Sequence, residues 1–357
     1  MDIKIEYTKN PAVKPDETKL GFGKYFTDHM FIMDYDKKNG WHDARIVPFS
    51  NLSLHPACTV FHYGAEIFEG LKAYRKADGS VQLFRPTENI KRMNNSADRL
   101  CMPKLDEKDA LEALLRFVSI EQDWVPNSHG TSLYLRPFMI GVDEKLGVHA
   151  IDKAMYMIIA SPVGSYYDKG IDPVSIMIET EDVRAVRGGT GYAKCGGNYA
   201  ASTRAGARAE EKGFSQVLWL DGVERKYIEE VGAMNVMFKI NGEIVTPELS
   251  GSILPGITRK SCIELLKNKG YSVSERKLSI DELLGSMENG TLEEAWGCGT
   301  AAVVSPIGEL EYNNKRYTVN GGKIGEITHY LYDTLTGIQW GDIPDHMNWT
   351  VPVPKNK

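Results

Sequence analysis

The stretch GYAKCGGNYAAS (191–202) surrounds a single lysine, Lys194, with glycines and small residues. Glycines allow the backbone to come close to a bound molecule, and a lysine held between small residues can be partly desolvated. Desolvation disfavours the ammonium form and exposes a nucleophilic amine, which is what a lysine needs to form a Schiff base. A solvated lysine in a flexible loop is the ordinary alternative, and the spacing alone leaves both open.

Two further stretches place charged residues beside apolar strand residues. In SLYLRPF (132–138), alternation predicts a strand with Tyr134 and Arg136 on one face. The guanidinium fork of Arg136 fits a carboxylate, although an edge salt bridge is equally consistent with the pattern. Glu230, in YIEEVGAMN, would need a cationic or N–H partner if it is buried, whereas its neighbour Glu229 can simply face water.

Two glycine-containing turns are candidates for anion binding. In LPGITRKSCIELL, the first free N–H groups of the helix, near Ile257 and Thr258, form an anion site unless this is an ordinary helix start. GCGTAA (297–302) matches a weak dinucleotide fingerprint, but roughly 60 residues remain after it, too few for a doubly wound domain. A tight turn that binds a small anion fits this stretch better. The histidines form no metal-like pattern with carboxylates, so we expect no metal site.

The pattern of apolar residues predicts mixed helices and strands in both halves of the chain. In the first half, helical spacing over 88–103 and the candidate N-cap Asp106 predict two successive helices. In the second half, helices are predicted over 198–213 and 323–337, each ending at a glycine. Asn241-Gly242 lies between two apolar runs and predicts a hairpin turn.

The length of 357 residues suggests two domains. The stretch SPVGSYYDKGIDP collects prolines, glycines and serines between two apolar strands, which predicts a linker at 164–173. The expected division is therefore one domain over 1–163, the linker, and a second domain over 174–357.

Composition and charge argue against several classes of protein. The net charge is −6 with no strongly basic block, so nucleic acid binding is not expected. No apolar run approaches the roughly 20 residues that a membrane helix needs, and the N-terminus lacks the features of a secretory signal. The five cysteines are scattered and never spaced C-x-x-C, which argues against a disulfide framework or a zinc site. We therefore expect a cytoplasmic protein that binds neither nucleic acid nor membranes.

Nine stretches, in order along nearly the whole chain, resemble the branched-chain amino acid aminotransferases, in the fold-type IV group of pyridoxal-phosphate enzymes. They are FTDHM (26–30), NLSLHP (51–56), HYGAEIFEGLKAY (62–74), LFRP (83–86), YLRPF (134–138), KCGGNYA (194–200), EEVGAMN (229–235), LPGITR (254–259) and GCGTAA (297–302). The resemblance implies a mixed α/β fold of two domains, with a smaller N-terminal domain and a larger C-terminal domain around a β-barrel-like core. It also implies a homodimer that moves the amino group reversibly between leucine, isoleucine or valine and 2-oxoglutarate.

The resemblance implies pyridoxal 5′-phosphate as the cofactor. Lys194 would form the Schiff base with it, and the freed amine would then shuttle a proton as general base. Glu230 would pair with the pyridine nitrogen, and Tyr199 would donate to the phenolic oxygen of the ring. The phosphate group would be held by Arg92, Arg184, Ile257, Thr258 and Thr300.

The same resemblance implies the substrate-binding residues. The α-carboxylate would bind the Thr300-Ala301 turn with help from the Tyr134 hydroxyl. Aliphatic side chains would lie in a pocket that includes Tyr63 and Phe68, and Arg136 would receive the distal carboxylate of glutamate. An apolar pocket separates leucine from valine by only about 1–3 kcal/mol, so use of all three aliphatic amino acids is expected.

Three alternatives remain beside this interpretation. D-amino acid aminotransferase and aminodeoxychorismate lyase keep the fold and the cofactor but change the chemistry, and YLRPF, FTDHM and the length count against both. A nicotinamide oxidoreductase would use GCGTAA as its dinucleotide turn. A catalytically silent scaffold would need a missing catalytic residue, and none is missing.

Overall fold

The computed structural model describes residues 1–164 and 171–356, so most of the predicted linker at 164–173 lies outside the described residues. Contacts divide the chain into two compact units. The first takes in the described residues of Met1–Tyr166, Ala193–Gly196 and Gly337–Lys357, and the second those of Tyr167–Tyr192 and Gly197–Thr336. The short segment that contains Lys194 therefore belongs to the first unit, although the residues on both sides of it in sequence belong to the second.

The strands, in chain order, are β1 (Lys4–Ile5), β2 (His29–Asp36), β3 (Gly40–Pro48), β4 (Glu66–Phe68), β5 (Leu71–Arg75), β6 (Val81–Phe84), β7 (Ser132–Gly141), β8 (Lys153–Val163), β9 (Val174–Ile178), β10 (Gln216–Leu220), β11 (Ile228–Val231), β12 (Met234–Ile240), β13 (Glu243–Thr246), β14 (Val273–Glu275), β15 (Leu292–Gly299), β16 (Val303–Tyr312), β17 (Lys315–Thr318) and β18 (Thr350–Pro352). The α-helices are α1 (Thr59–Tyr63), α2 (Pro86–Arg99), α3 (Glu107–Ile120), α4 (Gly196–Ala200), α5 (Thr203–Glu211), α6 (Ile257–Asn268), α7 (Ile280–Glu288) and α8 (Glu326–Trp340). Short 3₁₀ turns occupy Glu17–Lys19, Gln122–Trp124 and Asn320–Gly322. Within residues 1–164 and 171–356, no helix has both the length and the apolar character to cross a membrane.

The first unit is built on one sheet with the strand order β1-β3-β2-β8-β7-β5-β6-β18, and β4 pairs with β7. Apart from the parallel pair β1–β3, its strands pair antiparallel. Because side chains alternate along β7, Leu133 and Leu135 enter the core shared with α2 and α3. Tyr134 and Arg136 share the opposite face, as their spacing predicts.

The second unit contains a closed barrel of six strands. The order β11-β10-β9-β16-β15-β12 is closed by a further pairing between β12 and β11. Fully buried apolar side chains such as Val236, Phe238 and Leu310 belong to its core. This barrel confirms the expected β-barrel-like core, and the mixture of strands and helices confirms the predicted fold class.

The helix predicted over 198–213 is wrong, because the chain is interrupted between α4 and α5. The Ser202 hydroxyl donates to the Tyr199 carbonyl (2.7 Å), and the Thr203 hydroxyl donates to the Ala200 carbonyl. Hydroxyl groups that bond to nearby carbonyls compete with the helical ladder, which explains the break.

The other predicted boundaries have mixed outcomes. Helix α8 does not stop at Gly337 as predicted but continues to Trp340; a Cβ at Gly337 would lie 2.5 Å from the Ile343 side chain, so the glycine serves close packing. Helix α2 begins at Pro86 and ends at Arg99, earlier than predicted.

The Asp106 cap is confirmed, since its carboxylate accepts from two backbone N–H groups of α3. The predicted Asn241-Gly242 turn is also confirmed between β12 and β13.

Candidate active site

The backbone of Lys194 is held on both sides by the first unit. Its N–H donates to the Ser96 hydroxyl on α2 (2.8 Å), and its carbonyl accepts from the Phe68 N–H (3.0 Å). Ile67 and Cys195 form an antiparallel β-bridge beside it. The neighbours Ala193 and Cys195 are buried in the core. The lysine is therefore anchored, and the solvated flexible loop is excluded.

The amine of Lys194 lies in a partly buried, mainly aromatic and cationic environment. Its Nζ is 4.8 Å from the centre of the Phe68 ring. Burial lowers the pKa of Lys194 to about 8, and the Arg92 charge acts in the same direction, whereas Glu69 opposes it. At pH 7 about one-tenth of such amines are neutral, against roughly one in three thousand at a pKa of 10.5. The site therefore supplies a nucleophilic amine near neutral pH.

Arg92, on α2, is fixed by a buried carboxylate. Its Nε donates to Glu69 Oε1 and its Nη2 to Glu69 Oε2, both at 2.8 Å, and the Asn89 amide also donates to Glu69 (2.8 Å). Burial acts to raise the pKa of Glu69, but the charge and hydrogen bonds of Arg92 hold it below its ordinary value. This ionised pair fixes the guanidinium that was predicted to bind a phosphate group.

Arg136 lies against the rings of Phe68 and Tyr134, with its guanidinium carbon 4.7 Å and 5.3 Å from their centres. Its Nη2 donates to the Tyr134 hydroxyl (3.0 Å), while its buried Nε has no hydrogen-bond partner among the described residues. These three predicted substrate residues are brought together in the first unit. Tyr63 has a different environment: its ring is 41% exposed and its hydroxyl accepts from the Gly147 N–H (2.7 Å).

In the second unit, the Glu230 carboxylate is buried in the barrel wall with two polar partners. Arg184 Nε lies 2.5 Å from its Oε2, and the Asn235 amide donates to its Oε1 (3.1 Å). Glu230 thus has the cationic partner that its burial requires. Arg184 also donates to the carbonyls of Gly191 (3.2 Å) and Ser252 (2.5 Å). The structure therefore places Arg184, which was predicted to bind the phosphate group, directly beside Glu230, which was predicted to pair with the pyridine nitrogen.

A small cavity of the second unit is lined by Arg184, Glu230, Leu254 and Tyr199, the last on α4. The Asn235 amide donates to the carbonyl of Leu254, one of these lining residues (2.9 Å). This bond joins the stretches EEVGAMN and LPGITR beside the cavity. Two predicted ring-binding residues, Glu230 and Tyr199, therefore line one cavity.

The predicted anion site at Ile257 and Thr258 is the first turn of α6, and both residues are buried. Its N-cap, Gly256, supplies no side-chain hydrogen bond to the free N–H groups. A Cβ at Gly256 would collide with the Asn235 amide oxygen, so this position requires glycine. A helix start without a side-chain cap is of the kind that can bind a phosphate group.

GCGTAA forms the end of β15 and a tight turn into β16, with Thr300 and Ala301 in the turn. A dinucleotide fingerprint would connect a strand to a helix. The hairpin excludes the nicotinamide alternative and agrees with the predicted tight turn.

Several residues that shape these clusters were missed from the sequence. Ser96 lies outside the nine stretches and Glu69 lies inside one of them, but neither local sequence indicates the distant partner, Lys194 for Ser96 and Arg92 for Glu69. The suggestion that Glu229 faces water is wrong: it is buried, accepts from the Ser252 hydroxyl, and burial raises its pKa. The only available signal was the uninterrupted strand IEEV, which is buried on both faces of the barrel wall.

The lowered pKa of Lys194 gives a direct prediction for chemical labelling. In cofactor-free protein, acetylation of Lys194 by acetic anhydride should increase with pH through a midpoint of about 8, because the neutral amine is the reactive form. Peptide mass spectrometry at a series of pH values measures this rate, and the Lys194→Arg variant checks the peptide assignment. A midpoint near 10.5 would contradict the environment described for the amine.

Comparison with known proteins places this arrangement in a family. The sequence profile of the family described as "Amino-transferase class IV" matches residues 66–310 of this chain. "Branched-chain-amino-acid aminotransferase 2" of Bacillus subtilis (strain 168) is 57% identical over 351 residues, covering 98% of this chain and 97% of that protein.

Solved structures agree with the sequence comparison. The Escherichia coli branched-chain amino acid aminotransferase has a TM-score of 0.77 at 26% identity, covering 92% of this chain and 99% of that one. A second branched-chain amino acid aminotransferase, from T.th. and solved with pyridoxamine 5′-phosphate, also has a TM-score of 0.77 at 27% identity. The match covers 94% of this chain and 99% of that one. The resemblance carried by the nine stretches is confirmed: the chain belongs to the class IV aminotransferases, among the branched-chain-amino-acid aminotransferases.

Proposed function

We propose that this protein is a pyridoxal-phosphate-dependent transaminase that moves the amino group between leucine, isoleucine or valine and 2-oxoglutarate. The observation that carries the proposal is Lys194, an anchored and partly buried lysine with a pKa of about 8. Such an amine can bind a carbonyl compound covalently at neutral pH and then act as a base. The names of the relatives support the choice of amino acids.

The residues present fit this cofactor. Glu230 is a buried carboxylate held by Arg184 and Asn235, and therefore suits a protonated pyridine nitrogen. The uncapped first turn of α6 suits a phosphate dianion. When bound, pyridoxal phosphate supplies an electron sink for the negative charge that develops at the substrate Cα.

Each predicted residue has a role that its chemistry supports. Lys194 would hold the cofactor covalently, and its amine, once released, would move the proton at the substrate Cα. Glu230, whose carboxylate lies beside Arg184, would keep the pyridine nitrogen protonated. Tyr199 would donate to the phenolic oxygen. The phosphate would be held by Ile257, Thr258, Thr300, Arg92 and Arg184.

The substrate residues divide between carboxylate binding and apolar binding. The Thr300-Ala301 turn and the Tyr134 hydroxyl bind the α-carboxylate, and Tyr63 and Phe68 contribute to the aliphatic pocket. Arg136 binds the distal carboxylate of glutamate, since a fork of N–H donors matches a carboxylate and its buried Nε lacks a partner in the part of the chain that the structure describes. One site can thus accept a neutral and an acidic side chain in turn.

Replacement of Arg136 tests this assignment. The protein should transaminate leucine with 2-oxoglutarate, and Arg136→Ala should lower kcat/KM for glutamate about 30- to 160-fold, because a charge-assisted bond worth about 2–3 kcal/mol is lost. The value for leucine should fall severalfold at most. Steady-state and half-reaction kinetics measure both. Arg116→Ala, at an exposed position of α3, is the matched control. An equal loss for both substrates would remove Arg136 from this role, and a parent protein inactive with leucine would refute the proposed function.

We also propose a homodimer. Phe61, Leu146 and Val148 are 58%, 68% and 86% exposed, and the bond from the Gly147 N–H to the Tyr63 hydroxyl holds their two segments together. Apolar surface of this kind is typical of a protein interface.

Sedimentation tests the dimer and the surface together. The parent should sediment at twice the 39.9 kDa mass of the chain, and Val148→Glu should shift it toward monomer because a charge would be buried in the interface. Val13→Glu, at another exposed valine, is the control and should remain dimeric. A monomeric parent, or a Val148→Glu dimer as stable as the control, would contradict this proposal.

A further inference from the structure

Glu66 lies beside the predicted substrate residues of the first unit, and no role was predicted for it. It shares a face of β4 with Phe68, and these residues pair with Ile140 and Phe138 of β7. Its Oε2 accepts from the Gly196 N–H at 2.8 Å. A Cβ at Gly196 would lie 2.5 Å from this oxygen, so the glycine makes room for the carboxylate.

The charges around Glu66 are positive. Arg136 and Lys194 both act on it electrostatically and, together with the Gly196 N–H, oppose the rise in its pKa that burial causes. Both cations also lie on the Phe68 ring, at 4.7 Å and 4.8 Å from its centre. Glu66 therefore contributes negative charge to the surroundings of the Arg136 guanidinium, which would receive the distal carboxylate of glutamate.

A site that accepts two kinds of side chain has an electrostatic difficulty at Arg136. With glutamate bound, the substrate carboxylate balances the guanidinium. With leucine bound, the guanidinium is partly desolvated beside an apolar side chain and has no substrate charge to balance it, which is costly. A carboxylate of the protein nearby reduces that cost, and it competes with the carboxylate of an acidic substrate.

We propose that Glu66 is a specificity-determining residue, the fixed countercharge of Arg136 that sets how strongly the site prefers aliphatic over acidic amino acids. This inference rests on the proposed function. Gln at this position would keep an acceptor for the Gly196 N–H and remove only the charge, so Glu66→Gln isolates the electrostatic effect. Glu210→Gln, an exposed position on α5, removes the same charge away from this cluster and is the matched control.

The experiment measures single-turnover half-reactions of the pyridoxal-phosphate holoenzyme with leucine and with glutamate. Glu66→Gln should raise the glutamate-to-leucine ratio of kcat/KM about tenfold, the effect expected of one unit charge several ångströms from a partly buried site. An effect on the amine of Lys194 is common to both substrates and cancels in the ratio. Glu210→Gln should leave the ratio unchanged.

The outcomes separate this inference from the proposed function. A parent holoenzyme without a leucine half-reaction would refute the proposed function itself. A parent that reacts with leucine, combined with an unchanged ratio in Glu66→Gln, would overturn the countercharge role alone. Equal loss toward both substrates would show that Glu66 is only structural, which also overturns it.

Discussion

The structure depends on how the Lys194 backbone is anchored. The hydroxyl of Ser96 receives its N–H and the N–H of Phe68 donates to its carbonyl, so the segment 193–196 packs with the first unit. An anchored backbone leaves the side chain little choice of surroundings, and burial and the Arg92 charge then lower the stability of the ammonium form. The backbone hydrogen bonds therefore fix Lys194 where burial and a neighbouring positive charge favour its neutral amine.

The same unit places carboxylates near its cations. Glu69 neutralises Arg92 through two parallel hydrogen bonds, and Glu66 contributes negative charge near Arg136. In the second unit, Arg184 balances Glu230 in the barrel wall. The two ion pairs, Arg92–Glu69 and Arg184–Glu230, each keep a charged group in a fixed position without leaving it uncompensated in a region of low polarity. Such positions are what binding of a charged, planar ligand and of two different side chains requires.

Local patterns in the sequence predicted the features that depend on local geometry. Period-2 alternation placed Tyr134 and Arg136 on one face of β7, and Asp106 and Asn241-Gly242 marked a helix start and a turn. The closed barrel came only from the family resemblance, because periodicity does not specify which strands pair.

Tertiary partners were not predictable in this way. Ser96 is 98 residues from Lys194 in the chain, and nothing in the helix around it marks a hydroxyl that anchors a distant backbone. The ion pair between Arg184 and Glu230 and the burial of Glu229 likewise depend on the barrel closing. The helix predicted over 198–213 failed for a local reason. The Ser202 hydroxyl competes with the helical hydrogen bonds, and the pattern of apolar residues does not indicate this competition.

We propose that Lys194, and no other lysine, carries the cofactor. Lys72, on β5, is the strongest competitor within the described residues, because burial lowers its pKa to about 8 as well. Borohydride reduction of the holoenzyme, followed by peptide mapping, distinguishes the two directly. A phosphopyridoxyl group should appear on the peptide that contains Lys194, whereas an active holoenzyme labelled at Lys72 or at no lysine would overturn the assignment of Lys194.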